Sequence, residues 1–159
     1  MSNESISPNT FIREYTRELH NKNASVFAGA GLSMASGYVD WKGLLRQIIQ
    51  DLDLNPDDES DLVTLAQYHC NQVGGKAALT QTIFDHFSQT REPTINHQIL
   101  SKLPIQSYWT TNYDRLIETA LIAAKKVPDV KYTEKHLAIT RLDRDVLVYK
   151  MRLFRRICG

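Results

Sequence analysis

The chain has 159 residues, 42% of them hydrophobic, and a formal net charge of +1. That supplies enough apolar side chain for one domain of ordinary size and argues against a disordered chain. The near-neutral balance gives no basis for general nucleic-acid binding, and no apolar run approaches the ~20 residues of a membrane helix.

The first ten residues, MSNESISPNT, are polar and lack an apolar signal-peptide core, so a soluble, cytoplasmic protein is expected. Cys70 and Cys158 stand far apart in no spacing motif, and a disulfide framework is not expected. Asn9 or Thr10 is a candidate cap for a helix running to His20, with Phe11, Ile12, Tyr15 and Leu19 on one face. Asn21-Lys22-Asn23 ends it. Ala24 to Ala28 reads as a short buried strand, and Gly29-Ala30-Gly31 as a turn. Trp41 to Leu52 is helical in pattern, and Asn55 to Asp58 is a loop. Leu62–Gln72 and Ala77–Phe87 read as two helices broken at Gly74-Gly75.

Pro93 opens a further helix with Ile95, Ile99, Leu100 and Leu103 on its core side, closed by Pro104. Ile105 to Thr110 is a second strand. Tyr113 to Lys125 is a helix with Leu116, Ile117, Ala120 and Leu121 on its buried face. Asp145 to Lys150 (DVLVYK) is a third strand. Strands alternating with helices predict an α/β domain on a parallel sheet, with residues 42–92 as a helical insertion.

Two stretches carry chemistry. In VFAGAGLSMASG, residues 26–37, an apolar strand stops at two glycines and leads into a helix start. Small residues there let backbone N–H groups approach an anion, and Ser33 adds a hydroxyl. The dinucleotide pattern G-x-G-x-x-G fails at Met34, so a tight turn built only for packing is an equal alternative. Gly75-Lys76 is followed by Ala77, which does not make a phosphate-binding P-loop. In YWTTNYDRLIE, residues 108–118, Thr110, Thr111, Asn112 and Asp114 gather where a strand ends and a helix begins. That is where parallel sheets form sites. Its plain alternative is a helix cap.

Taken together, GAGLSMASG with Asp40-Trp41, then PTINHQILSKL, then TTNYDRLIE, resembles the sirtuin superfamily. The likeness is greatest to bacterial sirtuin-like domains of NAD-consuming anti-phage defence proteins. Gly29, Ala30, Gly31, Ser33, Ser36 and Gly37 meet every fixed letter of the family's GAG-x-S-x-x-S-G. Thr110, Asn112 and Asp114 match its T-Q-N-I-D, with Thr111 and Tyr113 as departures.

The resemblance implies a Rossmann-like parallel sheet and NAD as substrate, with no zinc. It implies that Gly29, Ala30, Gly31 and Ser33 hold the pyrophosphate, beside Asp40 and Thr110. Trp41 covers the nicotinamide ribose or is simply a helix-face core residue. Asn112 orients water or ribose hydroxyls, and Asp114 bonds the nicotinamide carboxamide. His97 falls in a family helix, where a structural role is expected. The expected partners are NAD or a related nucleotide, with room for a homo-oligomer or partner protein. Neither a specific nucleic acid nor a membrane is expected.

The sequence also departs from the family. Lys42 stands where deacetylase sirtuins usually carry arginine, and Lys does not reproduce its planar fork. The zinc-binding cysteine pairs are missing. The family's K-x-H-G motif, which carries its general-base histidine, would fall at DVLVYKM, yet Arg152 takes the histidine's place and no His-Gly dipeptide occurs. Residues 1–151 therefore read as an incomplete sirtuin-like domain, and 152–159 as an atypical tail of frameshift or truncation origin. Three functions follow in order: an NAD+ glycohydrolase, a non-catalytic nucleotide- or partner-binding module, and an NAD-dependent deacetylase.

Overall fold

The computed structural model describes residues 7–38, 41–52, 54–55, 61–72 and 77–151. Helix α1 (Pro8–His20) precedes β1 (Ser25–Ala28) and the one-turn α2 (Gly31–Met34). Three helices follow: α3 (Trp41–Asp51), α4 (Leu62–Gln72) and α5 (Ala77–Phe87). Then come α6 (Ile95–Lys102), β2 (Ser107–Thr110), α7 (Leu116–Ala123), β3 (Pro128–Lys131), α8 (Glu134–Ala138) and β4 (Val146–Lys150). The strands form one sheet in the order β1-β2-β4-β3, every neighbouring pair parallel. This is the expected α/β class, and it brings the carboxyl ends of β1, β2 and β4 to one edge.

Side-chain alternation along the strands sets the core. Ala28, Tyr108, Val146 and Val148 project to one face and pack with Ile105 and with Ile117 and Leu121 of α7. Leu19 of α1 and Leu100 and Leu103 at α6 pack against the same cluster. Leu121 and Val148 are fully buried, each contributing about 1.5–3 kcal/mol of transfer free energy. The opposite face carries a row in register: Phe27, Trp109 and Tyr149. Trp109 and Tyr149 stack at 4.1 Å, while Phe27 is exposed. Between β1 and β2, helices α3, α4 and α5 pack on one another. Leu45 and Ile49, four apart on α3, and Ala66 and Cys70, four apart on α4, are buried.

Several local expectations are corrected. Ser7, rather than Asn9 or Thr10, caps α1: its hydroxyl accepts the Thr10 N–H at 3.2 Å, with Pro8 in the first turn. Phe11 and Ile12 are exposed. On α6 the buried positions are His97 and Ser101, while Ile95 and Ile99 face solvent. The helix is rotated so that polar groups satisfied locally turn inward. Ser101 donates to Gln98 O at 2.9 Å, and His97 accepts from Thr94 N at 3.2 Å. Helix α7 starts at Leu116, later than Tyr113.

Strand β3 has no counterpart in the sequence reading. It opens on Pro128 and carries Asp129 and Lys131, a pattern that reads as a loop. The fold offsets those charges by burying them as a pair at 2.7 Å. Lys131 also donates to Ile139 O, and Asp129 accepts the Arg141 N–H at 3.0 Å. Asp40, Gly74 to Lys76 and the Arg152–Gly159 tail lie outside the described residues, as does the Trp41 side chain.

Candidate functional site

The end of β1 passes into the glycine turn, and its backbone closes on itself. Leu32 N–H donates to Gly29 O at 3.1 Å, and Ser33 and Met34 donate to Ala30 O at 2.9 and 3.1 Å. The amides of Ala30 and Gly31 stay outside this ladder. Neither Gly29 nor Gly31 has a positive φ, so the expected special backbone angles are not what these glycines provide. What they provide is space: a Cβ at either position would meet nothing within 4 Å. Because α2 is a single turn, its dipole is slight. The donors at this turn are local N–H groups and the Ser33 hydroxyl.

The glycine that needs a left-handed backbone is Gly37, at φ 84°. A Cβ there would lie 2.3 Å from Arg91 Nη1. Arg91 donates to Ser36 O at 3.3 Å, and Ser36 Oγ donates to Glu92 O at 2.8 Å. The final Ser-Gly of GAGLSMASG thus locks this loop to residues 89–92. Tyr38 continues the lock. Its hydroxyl donates to Gln89 O at 2.8 Å, and the Arg91 guanidinium sits 5.0 Å from its ring centre. Burial and then the negative charge of Asp114 push the Tyr38 phenol above its ordinary range, and Arg91 pulls the other way.

From the end of β2, the Asn112 N–H donates to Thr110 Oγ1 at 3.0 Å, folding the chain back over the sheet edge. This directs the Asn112 amide across to the first segment. Its Nδ2 donates to Gly29 O at 3.0 Å and to Ser33 Oγ at 2.9 Å. Both amide hydrogens are then used, and Oδ1 is the remaining acceptor. Ser33 accepts through its oxygen and keeps its own hydrogen to donate.

Asp114 does two things. Its Oδ1 accepts the Leu116 N–H at 3.0 Å, which is the capping role in the plain reading of this motif. Its Oδ2 is buried with no hydrogen-bond partner among the described residues. A buried acceptor left unpaired costs about 1–3 kcal/mol, so this oxygen favours a donor brought by a ligand. A cleft of about 420 Å³ is lined by Tyr38, Phe87, Arg91, Arg115, Leu116 and Thr119.

His97 lies behind the site. Its Nδ1 accepts the Thr94 N–H, so the neutral ring carries its hydrogen on Nε2. Burial lowers its pKa, against an opposing pull from Asp114. This is the structural role expected for it. Of the sequence-predicted residues, the structure gathers Gly29, Ala30, Gly31, Ser33, Thr110, Asn112 and Asp114 at one sheet edge. Sequence reasoning missed Tyr38, Arg91 and Glu118, and gave Lys150 no role. Lys150 was legible as a strand end and as the lysine of the family's K-x-H-G, but not as a partner of Asn112 and Asp114, and Arg91 carried no signal. No group of three or more metal-ligating side chains occurs among the described residues.

The described residues define a parallel α/β domain in which Asn112, after β2, is hydrogen-bonded to Gly29 and Ser33, after β1. No family model matches the chain. It is 54% identical over 142 residues to the NAD(+) hydrolase ThsA of Bacillus cereus (strain MSX-D12), an overlap covering 89% of this chain and 30% of that protein. To the NAD(+) hydrolase ThsA of Acinetobacter baumannii (strain 532279) it is 51% identical over 140 residues, 88% of the chain and 29% of the relative. It is 31% identical over 142 residues to Defense-associated sirtuin 2 of Bacillus subtilis, 86% of the chain and 14% of that protein. The chain thus spans less than a third of the length of each of these relatives.

Proposed function

We propose that this chain carries the NAD+-binding part of an NAD+ glycohydrolase of the anti-phage defence type, releasing nicotinamide and ADP-ribose. The observation that carries the reading is the bond from Asn112 to Gly29 and Ser33. It joins the two motifs, with a buried, unpaired Asp114 oxygen two residues from Asn112. The likeness to proteins named NAD(+) hydrolase supports it. In this reading the open space over Gly29 and Gly31 receives the pyrophosphate, with Ser33 donating to it. Asp114 Oδ2 accepts from the carboxamide of nicotinamide. Asp40, Trp41 and Thr110 complete the binding set.

The chemistry needs little covalent help. The bond between the ribose anomeric carbon and the pyridinium nitrogen breaks, its electron pair neutralises the ring, and nicotinamide leaves uncharged. Asn112 Oδ1 accepts from the attacking water or a ribose hydroxyl, and the water adds to the anomeric carbon and releases a proton. Positioning and electrostatics supply the rate. A second reading is a module that holds the nucleotide without turnover.

In this proposal residues 1–151 form one sirtuin-like unit with an insertion near 42–92, acting in the cytoplasm, with a partner chain or further copies beside it. Among the described residues no helix is long and apolar enough to cross a membrane. The test is to incubate the chain with NAD+ and follow nicotinamide, with and without an acetyl-lysine peptide. Release independent of peptide supports the glycohydrolase. Release only with peptide would replace it by a deacetylase, and binding of NAD+ without release by the holding module.

A further inference from the structure

The end of β4 carries a group that this chemistry does not use. Lys150 is almost wholly buried, with its side chain 3% exposed. Its ammonium lies 3.1 Å from Glu118 Oε1 on α7, and that carboxylate is itself buried. Neither Glu118 oxygen makes an aligned hydrogen bond, although the charges are in ion-pair contact. The ammonium hydrogens are directed elsewhere. Lys150 Nζ donates to Asp114 O, and a longer bond of 3.4 Å reaches Asn112 O. These two carbonyls flank Tyr113, in the loop whose side chains make the site. The backbone fixes the origin of the clamp as well: Thr110 and Lys150 are paired in the sheet, and Met151 N–H donates to Thr110 O at 2.7 Å.

We propose that Lys150 is a positioning residue. Held by the Glu118 charge, it clamps the carbonyls of Asn112 and Asp114, so that the Asn112 amide reaches Gly29 and Ser33 and Asp114 Oδ2 keeps its place. The inference rests on the reading of these residues as the NAD+ site. A buried ion pair is weak evidence for stability, since apolar replacements often fold as well. What an apolar replacement cannot supply is two donors at the carbonyls of Asn112 and Asp114, two positions apart. An arginine cannot supply them in the same geometry, because its fork is planar and longer.

The test separates position from stability. In the doubly neutral variant Lys150→Met with Glu118→Gln, no uncompensated charge remains, and cooperative unfolding is retained. The side-chain amide resonances of Asn112, assigned with Asn112→Ala, then shift and lose their slow hydrogen exchange. Nicotinamide release falls about tenfold or more, as expected for a misplaced site residue. A folded double variant whose Asn112 resonances and exchange match the parent chain overturns the proposal. Should the double variant not fold, the parent chain decides. Its Lys150 ammonium protons exchange slowly if they are bonded to the two carbonyls, and exchange like those of a free lysine if the clamp is wrong. None of the resonance measurements needs NAD+. A parent chain that binds no NAD+ refutes the site reading, while the clamp is still judged on its own.

Discussion

Asn112 Nδ2 lies 2.9 Å from Ser33 Oγ, a bond between residues 79 apart in sequence. It joins the turn after β1 to the loop after β2 more directly than the sheet does. Each buried hydrogen bond contributes about 0.5–1.5 kcal/mol, and this amide makes two. Replacing Asn112 by Ala is therefore expected to destabilise the chain by about 1–3 kcal/mol in urea unfolding. Nicotinamide release is expected to fall much further, by about 10² or more, since positioning as well as bonding is lost.

The glycines make the reverse prediction. Gly29→Ala and Gly31→Ala put a Cβ into open space at ordinary backbone angles, so the fold tolerates both and gains up to about 0.4–1 kcal/mol. If a pyrophosphate occupies that space, the same methyl excludes it. Unfolding midpoints that hold or rise, together with NAD+ affinity falling about tenfold or more, are the expected pair of results. Unchanged affinity would mean that the turn serves packing only.

Asp114→Asn is the selective change. The amide oxygen retains the cap to Leu116 N–H, and the other atom turns from acceptor to donor. NAD+ affinity should drop about tenfold, because a charge-assisted hydrogen bond contributes about 1.5–3 kcal/mol. ADP-ribose, which has no carboxamide, should bind as before. Titration of both ligands against both proteins checks this, and an equal loss for the two would place Asp114 elsewhere in the site.

The alternating order of helices and strands was legible in the sequence because long helices and apolar strands obey simple periods. So were the two motifs, since glycines and TTNYD break those periods. Their connection was not, because Asn112 meets Gly29 and Ser33 only once the parallel sheet sets β1 beside β2. Arg91, and the reason for the motif's Gly37, were opaque for the same reason: one long-range contact joins them. Strand β3 was hidden because its buried Asp129–Lys131 pair looks like surface sequence. Leu100 and Leu103 pack inward as read, but His97 and Ser101 beside them were hidden because Ile95 and Ile99 offered a more apolar face.

His97 gives a pH prediction. Its folded-state pKa lies below the ordinary 6.5, chiefly through burial. The unfolded chain then binds the proton more readily, so stability is full above that value and is lost as pH falls through the folded pKa. Unfolding free energy should decline from about pH 6.5 downward, before most carboxylates titrate. His97→Gln keeps a capping-box residue at its position and removes the titration, so it should flatten this decline. His86, also lowered by burial and then by Arg91, acts in the same direction, and His86→Gln provides the second control.

The central claim is that two distant segments form one NAD+ site. Amide hydrogen exchange on the chain, with and without NAD+, tests it most directly. The account predicts slower exchange in residues 29–33 and 111–116 together, with the rest of the sheet unchanged. Protection confined to another part of the molecule, such as the cleft of about 210 Å³ lined by Trp109, Tyr132, Leu137 and Tyr149, or no protection at saturating NAD+, would contradict it.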